Sequence, residues 1–355
     1  MKNIFNKVLL LSTLVALSAC NNAQSSSQKE DASSKAIETS QNIEVSSSES
    51  QMDSSEDDTS DDRELRNNEL YTDSGLSIKF KATGASIDTI KLNDKQIAKD
   101  GFVVGRCANR IANGKFSIKG TEYSVSVNSG SHSLHGGQGQ GMNSWRGPFA
   151  TKDWTKVDQT PSTITYSIHS ADGENGYPGN MDMTVKYTLK QSGELLIEYT
   201  ATSDKDTLCN PTNHLFMAPN GNNSYNDIKL WIDADRYTPL NNQIPTGEIT
   251  SVTGTQFDYT TEKAFDGSKS YDDNLVLNGE GYRKVATMTG ETLGLKIDVF
   301  TDRPGLQLYK DGNGSICLET QMFPDAINQD DFEDPILEAN DVFYSKTAYV
   351  FSEVE

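Results

Sequence analysis

Short runs in which apolar and polar residues alternate dominate the chain from about residue 70 onward. Alternation puts successive side chains on opposite faces of a strand, so it predicts strands with one buried face. The predicted strands cover 76–80, 162–168, 181–189, 195–202, 229–232, 275–277, 295–301, 306–309 and 345–351. Gly, Asn and Asp clusters separate them, and no segment of helical length shows a helical apolar period. The fold class expected is all-β, a large antiparallel sandwich with long loops, with a hairpin between 181–189 and 195–202.

The first 20 residues have the features of an export signal. Lys2 and Lys7 form a positive region before an apolar stretch over 8–19. That stretch is shorter than the roughly 20 residues that cross a bilayer. The stretch ends in Leu17-Ser18-Ala19-Cys20, which resembles a bacterial lipobox. That resemblance implies cleavage before Cys20, a diacylglycerol on its thiol, and attachment to an extracytoplasmic membrane face. An ordinary cleaved signal is the alternative.

Residues 20–65 are rich in Ser, Asp and Glu and contain no aromatic residue. Such a segment buries too little apolar surface to offset its conformational entropy, which predicts a disordered tether. The predicted organisation is a signal peptide over 1–19, a lipid-anchored acidic tether over 20–65 and a folded domain over 66–355. Whether the tether is a spacer or has no role stays open.

The formal net charge of −20 argues against a nucleic acid partner, and it leaves membrane attachment to the lipid alone. The three further cysteines are Cys107, Cys209 and Cys317, with no CxxC pair among them. Their spacing fits neither a zinc site nor a disulfide framework, so buried thiols are expected, with one disulfide as an alternative. The oligomeric state stays open between monomer and dimer.

Four histidines are present, namely His132, His135, His169 and His214. His135 is followed by two glycines, which let a backbone approach a ligand closely, and the Asn- and Pro-rich residues before His214 predict a loop. A single loop histidine is more often a plain surface residue, but the glycines favour a site at His135. No role is assigned to His132 or His169.

Glu319 closes the apolar run Ile316-Cys317-Leu318. It can be a solvated residue at a strand end, or a partly buried carboxylate whose raised pKa suits a general base. The local sequence leaves both interpretations open.

Ten segments, in this order, resemble motifs of the aldose 1-epimerase (galactose mutarotase) family. They are 105–114, 133–137, 172–180, 212–214, 235–239, 244–249, 271–274, 304–309, 318–321 and 323–326. Each motif is weak alone, and the strength of the resemblance lies in their number and order.

The resemblance implies a β-supersandwich with an open sugar cleft, no metal or nucleotide cofactor, and a small sugar as partner. It implies exchange of the α and β anomers of free aldoses such as glucose or galactose. Glu319 matches the base that takes the anomeric proton, His214 the acid that protonates the ring oxygen, and His135 a second histidine near that oxygen. Sugar-binding positions are matched by Asn109, Arg110, Asp272 and Gln307. Near neutral pH a histidine can supply a proton, and a glutamate with a raised pKa can accept one.

Three positions depart from the family pattern. Asp273 stands where His is common, Thr320 where Pro is common, and Leu215-Phe216-Met217 where Ser-Tyr-Phe is common. The last of these bears on substrate fit more than on the acid itself. Two alternatives stay open: a non-catalytic surface carbohydrate-binding lipoprotein on the same fold, and an epimerase of phosphorylated sugars, which would need more basic residues in the cleft than Arg110.

Overall fold

The computed structural model describes residues 61–221 and 224–354. The predicted signal peptide, Cys20 and the tether up to residue 60 lie outside these ranges. None of the helices within them is both long enough and apolar enough to cross a membrane.

Strands account for most of the regular structure. In chain order they are β1 (Glu69–Tyr71), β2 (Leu76–Lys81), β3 (Ser86–Leu92), β4 (Lys95–Val104), β5 (Arg110–Ile111), β6 (Lys115–Ile118), β7 (Thr121–Ser124), β8 (Ser133–Leu134), β9 (Thr155–Gln159), β10 (Thr163–Ser170), β11 (Met181–Leu189), β12 (Glu194–Ser203), β13 (Thr207–Leu208) and β14 (Thr212–Met217). They continue with β15 (Ile228–Ile232), β16 (Arg236–Tyr237), β17 (Leu240–Asn241), β18 (Ile244–Pro245), β19 (Thr250–Ser251), β20 (Lys263–Ala264), β21 (Asp272–Val276), β22 (Arg283–Gly290), β23 (Leu295–Thr301), β24 (Gly305–Lys310), β25 (Ile316–Gln321), β26 (Ile336–Leu337) and β27 (Val342–Glu353).

Helical structure in the described ranges is short. It consists of one α-helix, α1 (Pro148–Thr151), and the 3₁₀ segments Ala112–Gly114, Gly141–Arg146, Glu174–Gly176 and Ala326–Asn328. The all-β prediction is confirmed, and each predicted strand lies in or overlaps an observed one. The predicted hairpin is also present, since β11 and β12 pair antiparallel with Leu189 opposite Leu195.

Two large sheets form the sandwich. One has ten strands in the order β1-β2-β3-β4-β14-β25-β24-β21-β16-β19, and the other has nine in the order β20-β15-β22-β23-β27-β12-β11-β10-β9. The neighbours in both sheets pair antiparallel, as in the central pairs β14–β4 and β24–β25. The strands that will carry the site, β4, β14, β25, β24 and β21, are consecutive neighbours near the middle of the ten-stranded sheet.

The main core lies where the inward faces of the two sheets meet. On β11 the inward set is Met181, Met183, Val185, Tyr187 and Leu189, all buried, while the residues between them are more exposed. Each fully buried side chain of this size contributes roughly 1.5–3 kcal/mol relative to an exposed one. Buried tyrosines also connect the sheets, since the Tyr187 hydroxyl donates to the Ala85 carbonyl at 2.7 Å and Tyr349 on β27 donates to the Leu318 carbonyl on β25 at 3.2 Å. The second of these bonds ties β25 to the nine-stranded sheet.

Candidate active site

The outward face of the ten-stranded sheet carries polar side chains where the inward face carries the core. On β25, Ile316 and Leu318 belong to the main core, so the alternation places Cys317, Glu319 and Gln321 on the opposite face. The antiparallel register sets Gln307 of β24 directly opposite Glu319. Sheet geometry therefore brings these buried polar groups together.

A pocket of about 180 Å³ opens on this face. All seven residues matched to catalysis or sugar binding line it, together with Leu134, Trp145 and Tyr309; the seven are Asn109, Arg110, His135, His214, Asp272, Gln307 and Glu319. The lining residues come from seven separate segments of the chain, so the pocket is assembled by the sheet and its loops. Its volume is below the about 300–1,000 Å³ usual for drug-sized ligands, which favours a small ligand.

His214 and Glu319 meet at the base of the pocket. The His214 Nε2 lies 3.4 Å from Glu319 Oε1, and both side chains are buried. The second carboxylate oxygen, Oε2, has no hydrogen-bond partner among the described residues. A buried carboxylate oxygen without a partner is costly, so a ligand hydroxyl placed there would gain a strong hydrogen bond.

Aromatic rings enclose the His214 imidazole. Phe102 stacks on it at 4.9 Å between centroids, and Phe216 lies at 4.8 Å. Tyr309 and Trp145 approach edge-on at 5.5 and 6.3 Å. This apolar enclosure fixes the ring orientation and keeps it away from water.

Burial sets the charge state of this pair. It raises the pKa of Glu319 well above its ordinary value, helped by the charge of Asp272 and opposed by Arg110. Burial also lowers the pKa of His214 to about 4, with Arg146 acting in the same direction and a contact with the His214 backbone opposing it. Both shifts favour the uncharged form of the pair, protonated Glu319 beside neutral His214, over the ion pair in which the same titratable proton sits on His214 beside a carboxylate.

His135 is neutral and has a defined tautomer. Burial lowers its pKa well below the ordinary value, assisted by His214 and Arg110. The backbone N–H of Asn109 donates to His135 Nδ1 at 3.2 Å, so the proton of the neutral ring lies on Nε2. Its ring stands edge-on to His214 with 5.8 Å between centroids. His135 is therefore suited to donating a hydrogen bond rather than a proton.

A polar network occupies the opposite wall. Asp272 accepts hydrogen bonds from the Arg110 guanidinium at 3.3 and 3.4 Å and from the Gln307 amide at 2.8 Å. The Gln321 side-chain amide donates to the side-chain oxygen of Gln307, Oε1, at 3.4 Å. Asn109 lies at the start of β5, where its side-chain oxygen accepts from the Arg110 backbone N–H at 2.9 Å. These fixed donors and acceptors can orient several hydroxyl groups at once.

One local prediction was wrong. His214 lies in strand β14, not in a loop, because its backbone pairs with Phe102 of β4. Of the two interpretations of Glu319, the structure supports the desolvated carboxylate with a raised pKa over the solvated strand end, and the residue is more deeply buried than expected, at 2 % exposed within β25. The glycine after His135 also differs from expectation: Gly136 has a positive φ of 85°, and a Cβ there would collide with the Gly105 carbonyl, so it admits another part of the backbone rather than a ligand.

Most of the remaining predicted features lie away from the pocket, although Cys317 lies beside His214. Cys107, Cys209 and Cys317 are buried free thiols, so the alternative of a disulfide among them is wrong. His132 is buried and accepts from the Asn113 N–H at 3.2 Å, and His169 is exposed beside Asp182 at 2.7 Å. The motif over 172–180 also lies outside the pocket lining, and the carbonyls of Pro178 and Gly179 within it, with that of Ala171 just before it, accept from buried Arg106.

Most of the residues that depart from the family pattern do not line the pocket. Leu215 packs in the main core, and the Thr320 hydroxyl contacts Thr347 at 2.6 Å on the core side. Asp273 accepts from the Asp272 N–H at 3.2 Å, and burial raises its pKa. Two departures therefore touch the site: Asp273 through the backbone of Asp272, and Phe216 through the His214 ring. The effect of the departures on the pocket is confined to these two contacts.

Several site residues escaped the sequence analysis. Phe102, Trp145 and Tyr309 contact the His214 ring, and Cys317 lies 3.5 Å from its Nδ1. The alternation along β25 could have placed Cys317 on the same face as Glu319. No local signal identifies Phe102 or Trp145, which reach the site through strand pairing and the 3₁₀ segment Gly141–Arg146.

His214, Cys317 and Glu319 also bring metal-ligand atom types within 4.8 Å of one another. A metal binds the thiolate form of cysteine. Burial and the neighbouring Glu319 raise the pKa of the Cys317 thiol well above its ordinary value, so the group keeps its hydrogen. Without a metal, the thiol is therefore available for hydrogen bonding.

Comparison with known proteins agrees with this geometry. The model of the family described as aldose 1-epimerase matches residues 67–350. The chain belongs to the aldose 1-epimerase family. It is 35% identical over 284 residues to galactose mutarotase from Bos taurus, covering 71% of this chain and 78% of that one. It is 32% identical over 282 residues to aldose 1-epimerase from Haemophilus influenzae, covering 71% and 80%. The GalM/aldose epimerase homologue from C. elegans superposes with a TM-score of 0.73 at 26% identity, covering 81% of this chain and 98% of that one.

Proposed function

We propose that this aldose 1-epimerase interconverts the α and β anomers of a free aldose such as glucose or galactose, with Glu319 and His214 as the acting pair. The observation that carries the assignment is their buried contact, 3.4 Å between Nε2 and Oε1, at the base of a pocket lined by hydroxyl-binding groups. Family membership supports the reaction, and the buried contact supports the choice of these two residues.

The reaction starts from the form of the pair with a Glu319 carboxylate and a protonated His214. Glu319 takes the proton from the anomeric hydroxyl, and a carbonyl forms at C1. The C1–O5 bond breaks with its electrons moving to O5, which takes the proton from His214 Nε2. Rotation about C1–C2 presents the other carbonyl face, and the reverse transfers close the ring and restore both groups.

Burial favours the neutral form of the pair, which is also the form that ring opening produces. Burial favours the same protonated carboxyl and neutral imidazole before the reaction, so the ion pair from which ring opening starts is the minor form, and Arg110 partly opposes burial by favouring the carboxylate. Two groups with environments that move their pKa values in opposite directions can exchange roles at one pH. His135, neutral with its proton on Nε2, donates a hydrogen bond near the ring oxygen.

The charge of the pocket favours a free sugar over a phosphorylated one. Among the described residues that line it, Arg110 is the one permanent cation, and Asp272 already binds it. A phosphate would meet the Asp272 carboxylate with no unpaired positive group to balance it. A carbohydrate-binding protein without turnover is the second candidate, favoured by the sequence signal for export.

Polarimetry on freshly dissolved α-aldoses, together with calorimetric titration of the same sugars, separates the two candidates. An enzyme accelerates the approach to the equilibrium rotation. Heat of binding with no acceleration for glucose, galactose or other aldoses would favour the binding protein. A screen over several aldoses also identifies the preferred substrate.

We also propose that the mature chain begins at a diacylated Cys20 and is held at an extracytoplasmic membrane face. The support is the sequence alone: a basic start, a short apolar stretch and small residues leading into the cysteine. Two acyl chains suffice for stable anchoring where one is marginal.

A further inference from the structure

Trp145 differs from the other two tryptophans of the chain in its exposure and its hydrogen bonding. It lines the pocket beside His214, and 38 % of the residue is exposed. The indole N–H groups of Trp154 and Trp231 donate to backbone carbonyls at 2.8 and 3.2 Å, whereas that of Trp145 has no hydrogen-bond partner within residues 61–221 and 224–354. An indole with an open face and a free N–H can pack on the C–H groups of a sugar ring and donate to a hydroxyl.

The 3₁₀ segment Gly141–Arg146 carries Trp145 and packs closely against the pocket at its C-terminal end. Gly147, which follows the segment, has a φ of 86°, and a Cβ there would lie 1.8 Å from the His135 carbonyl oxygen. On the outer side Met142 is fully exposed. A segment this short has little packing of its own, so the position of the Trp145 ring depends on contacts made by neighbouring side chains.

The contact that ties this segment to the sheet is an ion pair between Arg146 and Asp100 of β4. The two side chains meet at 2.6 Å and are 20 % and 30 % exposed. The Arg146 guanidinium also lies over the Phe102 and Trp145 rings, at 4.6 and 5.4 Å from their centroids. Since Trp145 stands edge-on to Phe102 at 6.2 Å and Phe102 stacks on His214, the ion pair holds the indole against the ring stack of the site.

A β-bulge places Asp100 where it can make this ion pair. The register of β4 against β14 shifts between His214 and Phe216, so two residues of β4 stand opposite one residue of β14. Asp100 lies in the bulge with a φ of 54°, in the left-handed region where Asp and Asn are enriched. Bulges redirect side chains beside functional sites, and this one brings a carboxylate to the rim of the pocket.

We propose that Trp145 is a sugar-binding residue at the rim of the pocket, and that the Asp100–Arg146 ion pair positions its ring there. The proposal rests on the function assigned above, because it takes the ligand to be a free aldose. A sugar held by the polar wall of the pocket then contacts the indole ring on its other side, and the indole N–H donates to one of its hydroxyls. Because this contact forms with the bound sugar before and during the reaction, its loss raises KM more than it lowers kcat.

The test combines mutarotation kinetics with titration of tryptophan fluorescence by the same aldoses, on the full-length protein. Trp145→Phe keeps an aromatic ring and removes the N–H donor. Asp100→Asn removes the charge and keeps a side chain of the same shape that tolerates a positive φ. The matched controls are Trp231→Phe and Asp298→Asn, on the nine-stranded sheet, where Asp298 pairs with Lys284 at 2.6 Å.

Sugar is expected to change the tryptophan emission of wild type and of both controls. The change should disappear in Trp145→Phe and shrink in Asp100→Asn. KM should rise about 2- to 10-fold in each of these two variants, the range that corresponds to one hydrogen bond, with a smaller change in kcat. Adding Arg146→Gln to Asp100→Asn should raise KM little further, because either change breaks the same ion pair.

An emission change that persists in Trp145→Phe, or a KM equal to that of wild type in both Trp145→Phe and Asp100→Asn, would overturn the proposal. So would a loss that falls mainly on kcat, because the two side chains would then act through the His214 ring rather than on the sugar. The fluorescence titration needs no turnover. A wild type whose emission responds to sugar through Trp145 without faster mutarotation would contradict the function and support the binding site.

Discussion

His214 Nε2 and Glu319 Oε1 lie 3.4 Å apart in surroundings that exclude water from both side chains. Neighbouring strands β14 and β25 carry the two residues on the face away from the sandwich core. Because burial disfavours charge on each residue, the pair is held in a state with a single proton. The following predictions start from that state.

Glu319→Gln should stabilise the protein increasingly as pH rises. The folded pKa of Glu319 is raised, so the wild type is most stable below its ordinary value of 4.5 and loses stability as pH rises from there toward the folded value. Gln does not titrate and escapes this loss. Thermal unfolding from pH 4 to 8 should show a midpoint difference between variant and wild type that grows with pH; a constant difference would contradict the raised pKa.

The pH profile of kcat/KM should be bell-shaped. Adding a second proton to the pair at low pH leaves no base, and removing its only proton at high pH leaves no acid. The two limbs belong to the coupled pair rather than to either residue. Initial mutarotation rates, corrected for the spontaneous reaction at each pH, provide the measurement. A profile that rises or falls on one side only would mean that a single group titrates.

Asp272→Asn should weaken sugar binding and move both limbs of that profile to lower pH. Asp272 accepts from Arg110 and Gln307, and its charge raises the pKa of Glu319, so its loss frees two donors and lowers that pKa. KM should rise about 10-fold or more, consistent with the loss of charge-assisted bonds. Asp158→Asn, on an exposed strand, is the control. An unshifted profile would remove Asp272 from the electrostatics of the pair.

Cys20→Ser should release the protein from the membrane without changing its specific activity. The lipid is expected to provide the attachment, and the pocket residues all lie at or beyond Asn109. Radiolabelled palmitate incorporation and cell fractionation measure the first effect, and polarimetry on the released protein measures the second. Wild-type protein that incorporates no palmitate would rule out the anchor.

Alternation along the chain predicted the strands well because it follows directly from burial of one sheet face. It failed at His214, where Asn210, Pro211 and Asn213 resemble a loop although tertiary pairing with β4 makes a strand. Family resemblance identified seven of the ten residues that line the pocket. The aromatic residues around His214 could not be predicted from the sequence. Phe102 and His214 are far apart in the chain, and the β4–β14 pairing brings them together.

The central claim is that Glu319 acts as a base in anomer exchange. The most direct measurement is the polarimetric rate on fresh α-glucose and α-galactose, compared between wild type, Glu319→Gln and Glu122→Gln. Glu122 is an exposed glutamate paired with Lys115, so its variant controls for the change in charge. We expect wild type and Glu122→Gln to relax the rotation of at least one of the two sugars equally fast. Glu319→Gln should be slower by about 10²–10⁴, the usual contribution of a general base. Equal rates for all three proteins, or a wild type no faster than buffer on both sugars, would contradict the account.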